Sequence, residues 1–153
     1  MWHPFHQWQS RPDQKGYRSM SVLVTDQGFG PAPVTNAVAL ADIATHKGEV
    51  DLLQTDPPEA LLPYFKDLTL IRVAFPAFSD GRAFTIGHRL RALGYKGHLR
   101  AVGPVIADQY PMARRTGFDD VEIPDDLAAR QPEAQWKFRA DWKAHDYQAR
   151  LRA

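Results

Sequence analysis

The fold of this chain is decided by its longest apolar run, LTLIRVAF at residues 68–75. An apolar run of strand length, without alternating polar positions, is typical of a strand covered on both faces in the middle of a parallel sheet. A helix is predicted next, capped by Ser79 or Asp80 and ended by Gly94, and a second strand follows at residues 99–102. This order predicts two parallel neighbours joined by a right-handed crossover.

The same alternation extends on both sides of this unit. On the C-terminal side, Asp108 is predicted to cap a helix that Gly117 ends, and a strand follows at residues 118–123. On the N-terminal side, the pattern predicts strands at residues 21–25 and 50–53 and helices at residues 35–47 and 57–65. The sum is an α/β fold with a mainly parallel five-stranded sheet and helices on both faces, flavodoxin-like or Rossmann-like. A partial βα barrel is the alternative.

Residues 26–31 (DQGFGP) follow the first predicted strand. Two glycines after a strand suggest a phosphate-binding loop, but such loops carry a third glycine or a Gly-Lys-Ser/Thr sequence, which is missing here. Two prolines, Pro31 and Pro33, also follow. This segment is therefore predicted to be an ordinary turn.

The length of 153 residues suits one α/β domain, predicted at residues 21–131, with a flanking segment at each end. Residues 1–20 lack helical or strand periodicity and are predicted to form an irregular arm. Residues 132–153 predict a C-terminal helix with two apolar stripes. One stripe contains Trp136, Ala140, Ala144, Tyr147 and Leu151, and the other contains Phe138, Trp142 and Ala149. Two stripes predict packing on the domain, on a partner protein or on a second copy in a homodimer.

The composition of the chain argues against several classes of partner and of chemistry. Nineteen Lys and Arg residues balance eighteen Asp and Glu residues, so no overall field favours a nucleic acid or an anionic membrane. No apolar run approaches the roughly 20 residues of a membrane span. The absence of cysteine excludes disulfides, thiolate-bound iron–sulfur clusters and a Cys nucleophile within this chain. The first residues lack the features of a secretory signal, so we expect a cytoplasmic location.

Ligands of open α/β sheets bind beyond the carboxyl ends of the strands, where helix N-termini favour anions. Two predicted loops, at residues 77–82 and 103–109, meet that description. We therefore expect a polar anion or ligand site, or a docking surface, formed by these loops and nearby cations. Its candidate residues are Asp80, Gly81, Arg82, Arg91, Arg100, Gly103, Asp108, Gln109 and Arg115. Asp80 and Asp108 are also explained as helix caps alone, and Arg82 and Arg91 as solvated helix residues.

Arg100 is the most informative candidate because a charge inside a predicted interior strand needs a partner. We expect it to pair with Asp80 or Asp108 across the strand ends. The acidic cluster at residues 119–126 is interpreted as a solvated edge, since it lacks the EF-hand spacing of a calcium site. No metal site is predicted, and the sequence contains no Gly-x-Ser-x-Gly elbow for a nucleophilic serine.

Three groups of residues carry a family resemblance: FPAFSDGR at residues 75–82, GYKGHLRAVG at residues 94–103 and RTGFD at residues 115–119. This region, about residues 68–122, resembles the bacterial family catalogued as domain of unknown function 934. Members of that family are commonly labelled as oxidoreductases involved in sulfite reduction. The resemblance implies an accessory or interaction protein of assimilatory sulfite reduction, with sulfite reductase or another sulfur-assimilation protein as partner. The alternative that it implies is an oxidoreductase with a borrowed flavin or redox partner; no resident cofactor is indicated.

Overall fold

A computed structural model describes residues 21–77 and 81–140, and these form a mixed sheet of seven strands. Its order is β2-β1-β7-β6-β5-β4-β3, in which β3 to β7 are parallel and β1 runs antiparallel to both of its neighbours. The strands are β1 Ser21–Thr25, β2 Gly28–Pro31, β3 Val38–Ala39, β4 Glu49–Leu52, β5 Leu70–Ala74, β6 His98–Val102 and β7 Asp120–Pro124. The α/β class is confirmed, but the mainly parallel five-stranded sheet is wrong in detail, because the predicted first strand, β1, runs antiparallel and neither β2 nor β3 was predicted.

The helices are short apart from the one that follows β5. The α-helices are α1 Arg82–Ala92, α2 Tyr110–Thr116, α3 Asp125–Arg130 and α4 Glu133–Arg139. The 3-10 helices are Leu40–Thr45, Pro58–Tyr64 and Ala107–Gln109. Helix α2 ends at Gly117, which has a left-handed backbone with φ of 115°, as its position in the sequence predicted.

The turn predicted at residues 26–31 is wrong in part, because only its first two residues turn and the rest form β2. Thr25 pairs with Gly28 across this hairpin. Phe29 is held from outside the hairpin, since its N–H donates to the Glu133 carboxylate at 2.8 Å and its ring lies 6.4 Å from that of Trp136. This strand was not predicted because its sequence contains two glycines and a proline, which are uncommon in strands. The proline is tolerated there because β2 is an edge strand.

The order of the parallel strands follows the chain without a reversal. A flavodoxin-like or Rossmann-like sheet reverses its order at a switch point, so that expectation is wrong in this detail. Right-handed crossovers that always step in one direction place their helices on one face of the sheet. Accordingly, alternate residues of the central strands, such as Ile71 and Leu99, join Ile86 and Leu90 of α1 in one buried core.

The C-terminal stripe led by Trp136 packs within the domain as far as the structure describes it. Trp136 is 1% exposed, and its ring lies 6.1 Å from that of Tyr110. Phe138, on the second stripe, is 67% exposed. The predicted arm at residues 1–20 and the predicted helix beyond residue 140 lie outside the described residues. Within the described part of the chain, no helix has the length and apolarity to cross a membrane.

Candidate functional site

The sheet face opposite the helix-packed core carries a group of buried charges. Because side chains alternate along a strand, Arg72 and Arg100 point away from the core that their apolar neighbours enter. The register aligns Asp51 with Arg72, Arg72 with Arg100, and Arg100 with Asp120. Glu122 lies two residues beyond Asp120 on the same face. We call these five residues the charged cluster; each is at most 6% exposed.

Arg72 connects three strands of the sheet. Its Nε and Nη2 donate to Oδ1 and Oδ2 of Asp51 at 2.7 and 3.1 Å, and its Nη1 donates to Oε1 of Glu122 at 3.4 Å. Burial alone would lower the pKa of Arg72, but the hydrogen bond and charge of Asp51 outweigh it and raise that pKa. Arg72 is therefore a fixed cation held by two carboxylates.

Arg100 is held by one carboxylate and retains an unused donor. Its Nε and Nη2 donate to Oδ1 and Oδ2 of Asp120 at 2.8 and 3.3 Å. His98 Nε2 lies 2.8 Å from the same Oδ2. Burial opposes ionisation of Asp120, but the hydrogen bonds from His98 and Arg100 prevail and lower its pKa. Arg100 Nη1 is buried and has no hydrogen-bond partner among the described residues.

The expected partners of Arg100 need correction. The pairing with Asp108 is wrong, because the Asp108 carboxylate accepts a hydrogen bond from Arg139 Nε at 3.1 Å. Asp80 lies outside the described residues. The actual partner, Asp120, faces Arg100 from the adjacent strand. The solvated acidic edge is also wrong for Asp120 and Glu122, which are 3% and 2% exposed.

Glu122 is a carboxyl group of the charged cluster whose pKa is raised in the folded protein. Burial raises its pKa, although the charge of Arg72 and the hydrogen bond from Ser21 act in the opposite direction. Ser21 Oγ donates to its Oε2 at 2.8 Å. The charged cluster therefore combines the ion pairs of two arginines with a carboxyl group, Glu122, whose pKa is raised by burial.

Other candidate residues lie at the carboxyl ends of the strands, where the sequence placed them. Gly81 and Arg82 begin α1, and Gly103 follows β6 with φ of 140°. A Cβ at Gly103 would clash with the Phe75 carbonyl oxygen, so this glycine permits two strand ends to approach each other. The Gln109 side chain accepts the Ile106 N–H at 3.1 Å, which makes Gln109, and not Asp108, the residue that caps this turn.

Arg91 and Arg115 lie at the opposite end of the sheet. The Arg91 guanidinium donates to the carbonyl oxygens of Gly117, Tyr95 and Gly97 at 2.9 to 3.0 Å and to Asp119 at 3.0 Å. It thereby ties together the two loops that enter β6 and β7. Arg115 is exposed on α2. The structure therefore divides the predicted site residues among the charged cluster and the two ends of the sheet.

Asp51, Arg72 and His98 were not among the predicted site residues. The available signal was that Arg72, like Arg100, stands between apolar residues near the middle of a strand. The alignment of four strands that brings these charges together depends on register, which is not visible in one sequence. Among the described residues, no group of three or more His, Asp or Glu side chains is arranged to hold a metal ion.

These features define an α/β protein with a sequentially ordered parallel sheet and a cluster of buried ion pairs on one face. The chain belongs to the family described as "Bacterial protein of unknown function (DUF934)", whose profile matches residues 49–153. The match extends further than the resemblance found at about residues 68–122, and it includes β4 to β7. No curated protein and no solved structure matches the chain.

Proposed function

We propose that this protein is a cytoplasmic accessory protein of assimilatory sulfite reduction that binds a small oxyanion through Arg100. The pathway is supported by the family resemblance, and the chemistry is supported by one observation, the buried Nη1 of Arg100 without a partner among the described residues. A buried donor left unsatisfied costs about 1–3 kcal/mol, and a charged group costs more. An oxyanion that accepts from Nη1 would recover this cost.

The orientation of the Arg100 guanidinium suits such a ligand. Its other two nitrogens are bound to Asp120, which fixes the orientation of the guanidinium plane. A planar guanidinium with paired N–H groups matches the oxygens of a carboxylate, sulfite or sulfate ion. A ligand at Nη1 would therefore meet a donor that is already oriented.

The balance of charge limits the site to an anion of small charge. The charged cluster contains two arginines and three carboxyl groups, so a further negative charge is tolerated best when Glu122 is protonated. The raised pKa of Glu122 supports that state. Protonated Glu122 would lower the repulsion felt by the ligand. The anion site expected at the strand ends stays a prediction for Gly81 and Arg82.

Binding is tested by calorimetric titration of sulfite, sulfate and acetate into the wild-type chain and two Arg100 variants. We expect Arg100→Gln to abolish binding. Arg100→Lys should weaken it at least tenfold, because lysine keeps a charge for Asp120 but loses the guanidinium fork. Arg115→Gln, at an exposed position, is the matched control and should bind as the wild type does. Absence of binding by the wild type, or equal loss in the control, would refute the oxyanion site.

The pathway is tested by growth of a host from which its own copy of the gene is deleted. We expect growth on sulfate or sulfite to fail, growth on cysteine to persist, and the wild-type chain to restore growth. Co-purification of sulfite reductase with the restored chain would support it as the partner. Normal growth of the deletion strain on sulfite would refute the assignment.

The alternative enzyme role is tested separately by the absorbance spectrum of the freshly purified protein. A flavin band, or sulfite reduction with a supplied electron donor, would favour an oxidoreductase over an accessory protein. The proposed homodimer through the C-terminal helix concerns residues that lie largely beyond residue 140, outside the described residues. It is tested by measuring the mass of the protein in solution.

A further inference from the structure

A groove lies at the amino ends of β5 and β6, away from the Arg100 donor. It runs between the segment that enters β5 and the loop that joins α1 to β6, and its volume is about 550 Å³. Cavities of about 300–1,000 Å³ accommodate cofactor-sized molecules. The lining residues are Phe65, Lys66, Leu68, Thr69, Gly94, Lys96 and Gly97.

The walls of this groove are held in place by contacts behind them. Arg91 donates to the carbonyl oxygens of Tyr95 and Gly97 at 3.0 and 2.9 Å, and Tyr95 Oη donates to the His98 carbonyl oxygen at 2.9 Å. On the other wall, the Phe65 ring lies 5.4 Å from the Tyr95 ring. The groove is therefore formed in advance, which lowers the entropic cost of binding a ligand.

The groove is lined by two lysines and by backbone and aromatic surfaces that a planar ring can contact. Lys66 and Lys96 stand on opposite walls, both are exposed, and neither forms an ion pair within residues 21–77 and 81–140. Gly94 has φ of 106°, and no atom lies within 4 Å of the position that a Cβ would take. A planar ring has room to approach the backbone there and to contact the partly buried Phe65.

A second depression of about 360 Å³ adjoins the groove and shares Lys96 and Gly97 with it. It is lined also by Arg91, His98 and Asp119. Asp119 Oδ2 is fixed by Arg91 Nη2 and by the Leu99 N–H, both at 3.0 Å. A carboxylate held in this way is a suitable acceptor for the hydroxyl groups of a sugar.

We propose that this groove binds a mononucleotide, a molecule with a flat heterocycle, a sugar and a phosphate. The heterocycle lies against Phe65 and the Gly94 backbone, and the phosphate lies between Lys66 and Lys96, which act as point charges. The sugar reaches toward Asp119. The site lies at the amino edge of the parallel strands, opposite to the edge at which such sheets usually bind ligands. It does not depend on the oxyanion proposal.

Calorimetric titration with flavin mononucleotide, adenosine monophosphate and inorganic phosphate tests the site. We expect at least one mononucleotide to bind at least tenfold more tightly than inorganic phosphate. The double variant Lys66→Glu/Lys96→Glu should weaken that binding at least tenfold. Lys137→Glu, an exposed position on α4, is the matched control and should leave the affinity unchanged.

The outcomes separate this proposal from the oxyanion site. Arg100→Gln should retain mononucleotide binding while losing sulfite binding. Absence of binding by both mononucleotides at millimolar concentration would overturn the proposal. So would equal affinity for inorganic phosphate, or equal weakening by Lys137→Glu, because either result would indicate general attraction of anions by surface charge.

Discussion

Arg72 on β5 and Arg100 on β6 lie directly opposite each other, and each binds a carboxylate on the strand at its outer side. Two like charges on adjacent strands destabilise a sheet unless each is compensated. Here the order across four strands is Asp51, Arg72, Arg100, Asp120, so each arginine has a carboxylate neighbour. The pairs therefore depend on the sheet register, and a slip of one residue would break them.

Removal of Arg72 should be strongly destabilising. The substitution Arg72→Met would leave Asp51 and Glu122 buried without their cation, which typically costs about 3–5 kcal/mol. The double variant Arg72→Met/Asp51→Leu should recover part of that loss because it also removes the unpaired charge of Asp51. Urea unfolding followed by circular dichroism measures both variants. A free energy of unfolding for Arg72→Met within about 0.5 kcal/mol of wild type would show that the ion pairs do not support the fold.

Glu122 should make stability depend on pH above its unfolded pKa of about 4.3. Because its pKa is raised in the folded protein, the folded state binds the proton more tightly, and this contribution is fully present below the unfolded pKa. It is lost as the pH rises through the folded pKa. Glu122→Gln, which cannot titrate, should lack this decrease. The free energy of unfolding of the wild type and of Glu122→Gln is measured between pH 4 and pH 8. The same dependence of this free energy on pH in both proteins would contradict the prediction.

Gly103 should not tolerate a side chain. Its φ of 140° is rarely adopted by other residues, and a Cβ would overlap the Phe75 carbonyl oxygen. Backbone strain alone predicts that Gly103→Ala loses about 1–3 kcal/mol of stability. Gly30→Ala is the matched control, because nothing lies within 4 Å of its Cβ position. Thermal unfolding should show a lower midpoint for the first variant only; equal midpoints would argue against the close approach of the two strand ends.

The two aromatic residues on α4 should differ in their contribution to stability. Trp136 is buried against Phe29 and Tyr110, so Trp136→Ala should cost about 3–5 kcal/mol. Phe138 is largely exposed, and Phe138→Ala should change stability by less than about 0.5 kcal/mol. Chemical denaturation of both variants makes the comparison. A large loss for Phe138→Ala would indicate that another surface covers this side chain in solution.

The central strands were predictable because their apolar runs are bounded by clear breaks. β1 matches its predicted range, and β4 to β6 lie within two residues of theirs. Gly117 ends α2 where its sequence position indicated. By contrast, β2 contains two glycines and a proline, and β3 has only two residues, so neither has a strand-like pattern.

The candidate site was less predictable because it depends on relations between strands. The position of Arg100 in a strand indicates a charge that needs a partner, but its partner Asp120 lies in an acidic run whose pattern predicts a solvated edge. Arg91 was proposed as a ligand residue, yet it binds three backbone carbonyl oxygens from two loops. Hydrogen bonds to backbone carbonyl oxygens cannot be predicted from residue type or spacing. Pairing, register and backbone contacts follow from tertiary packing.

The unreversed strand order also affects how the chain assembles. From β3 to β7, every strand pairs with the strand next to it in the sequence. Each of these pairings therefore closes a short loop, the single crossover connection between the two strands. β1 is the exception, since it pairs with β7, and its Ser21 binds Glu122 from 101 positions away. Contacts so distant in sequence slow folding. The N-terminal hairpin is therefore expected to dock after β7 has joined the sheet, and the buried Glu122 gains its Ser21 hydrogen bond only then.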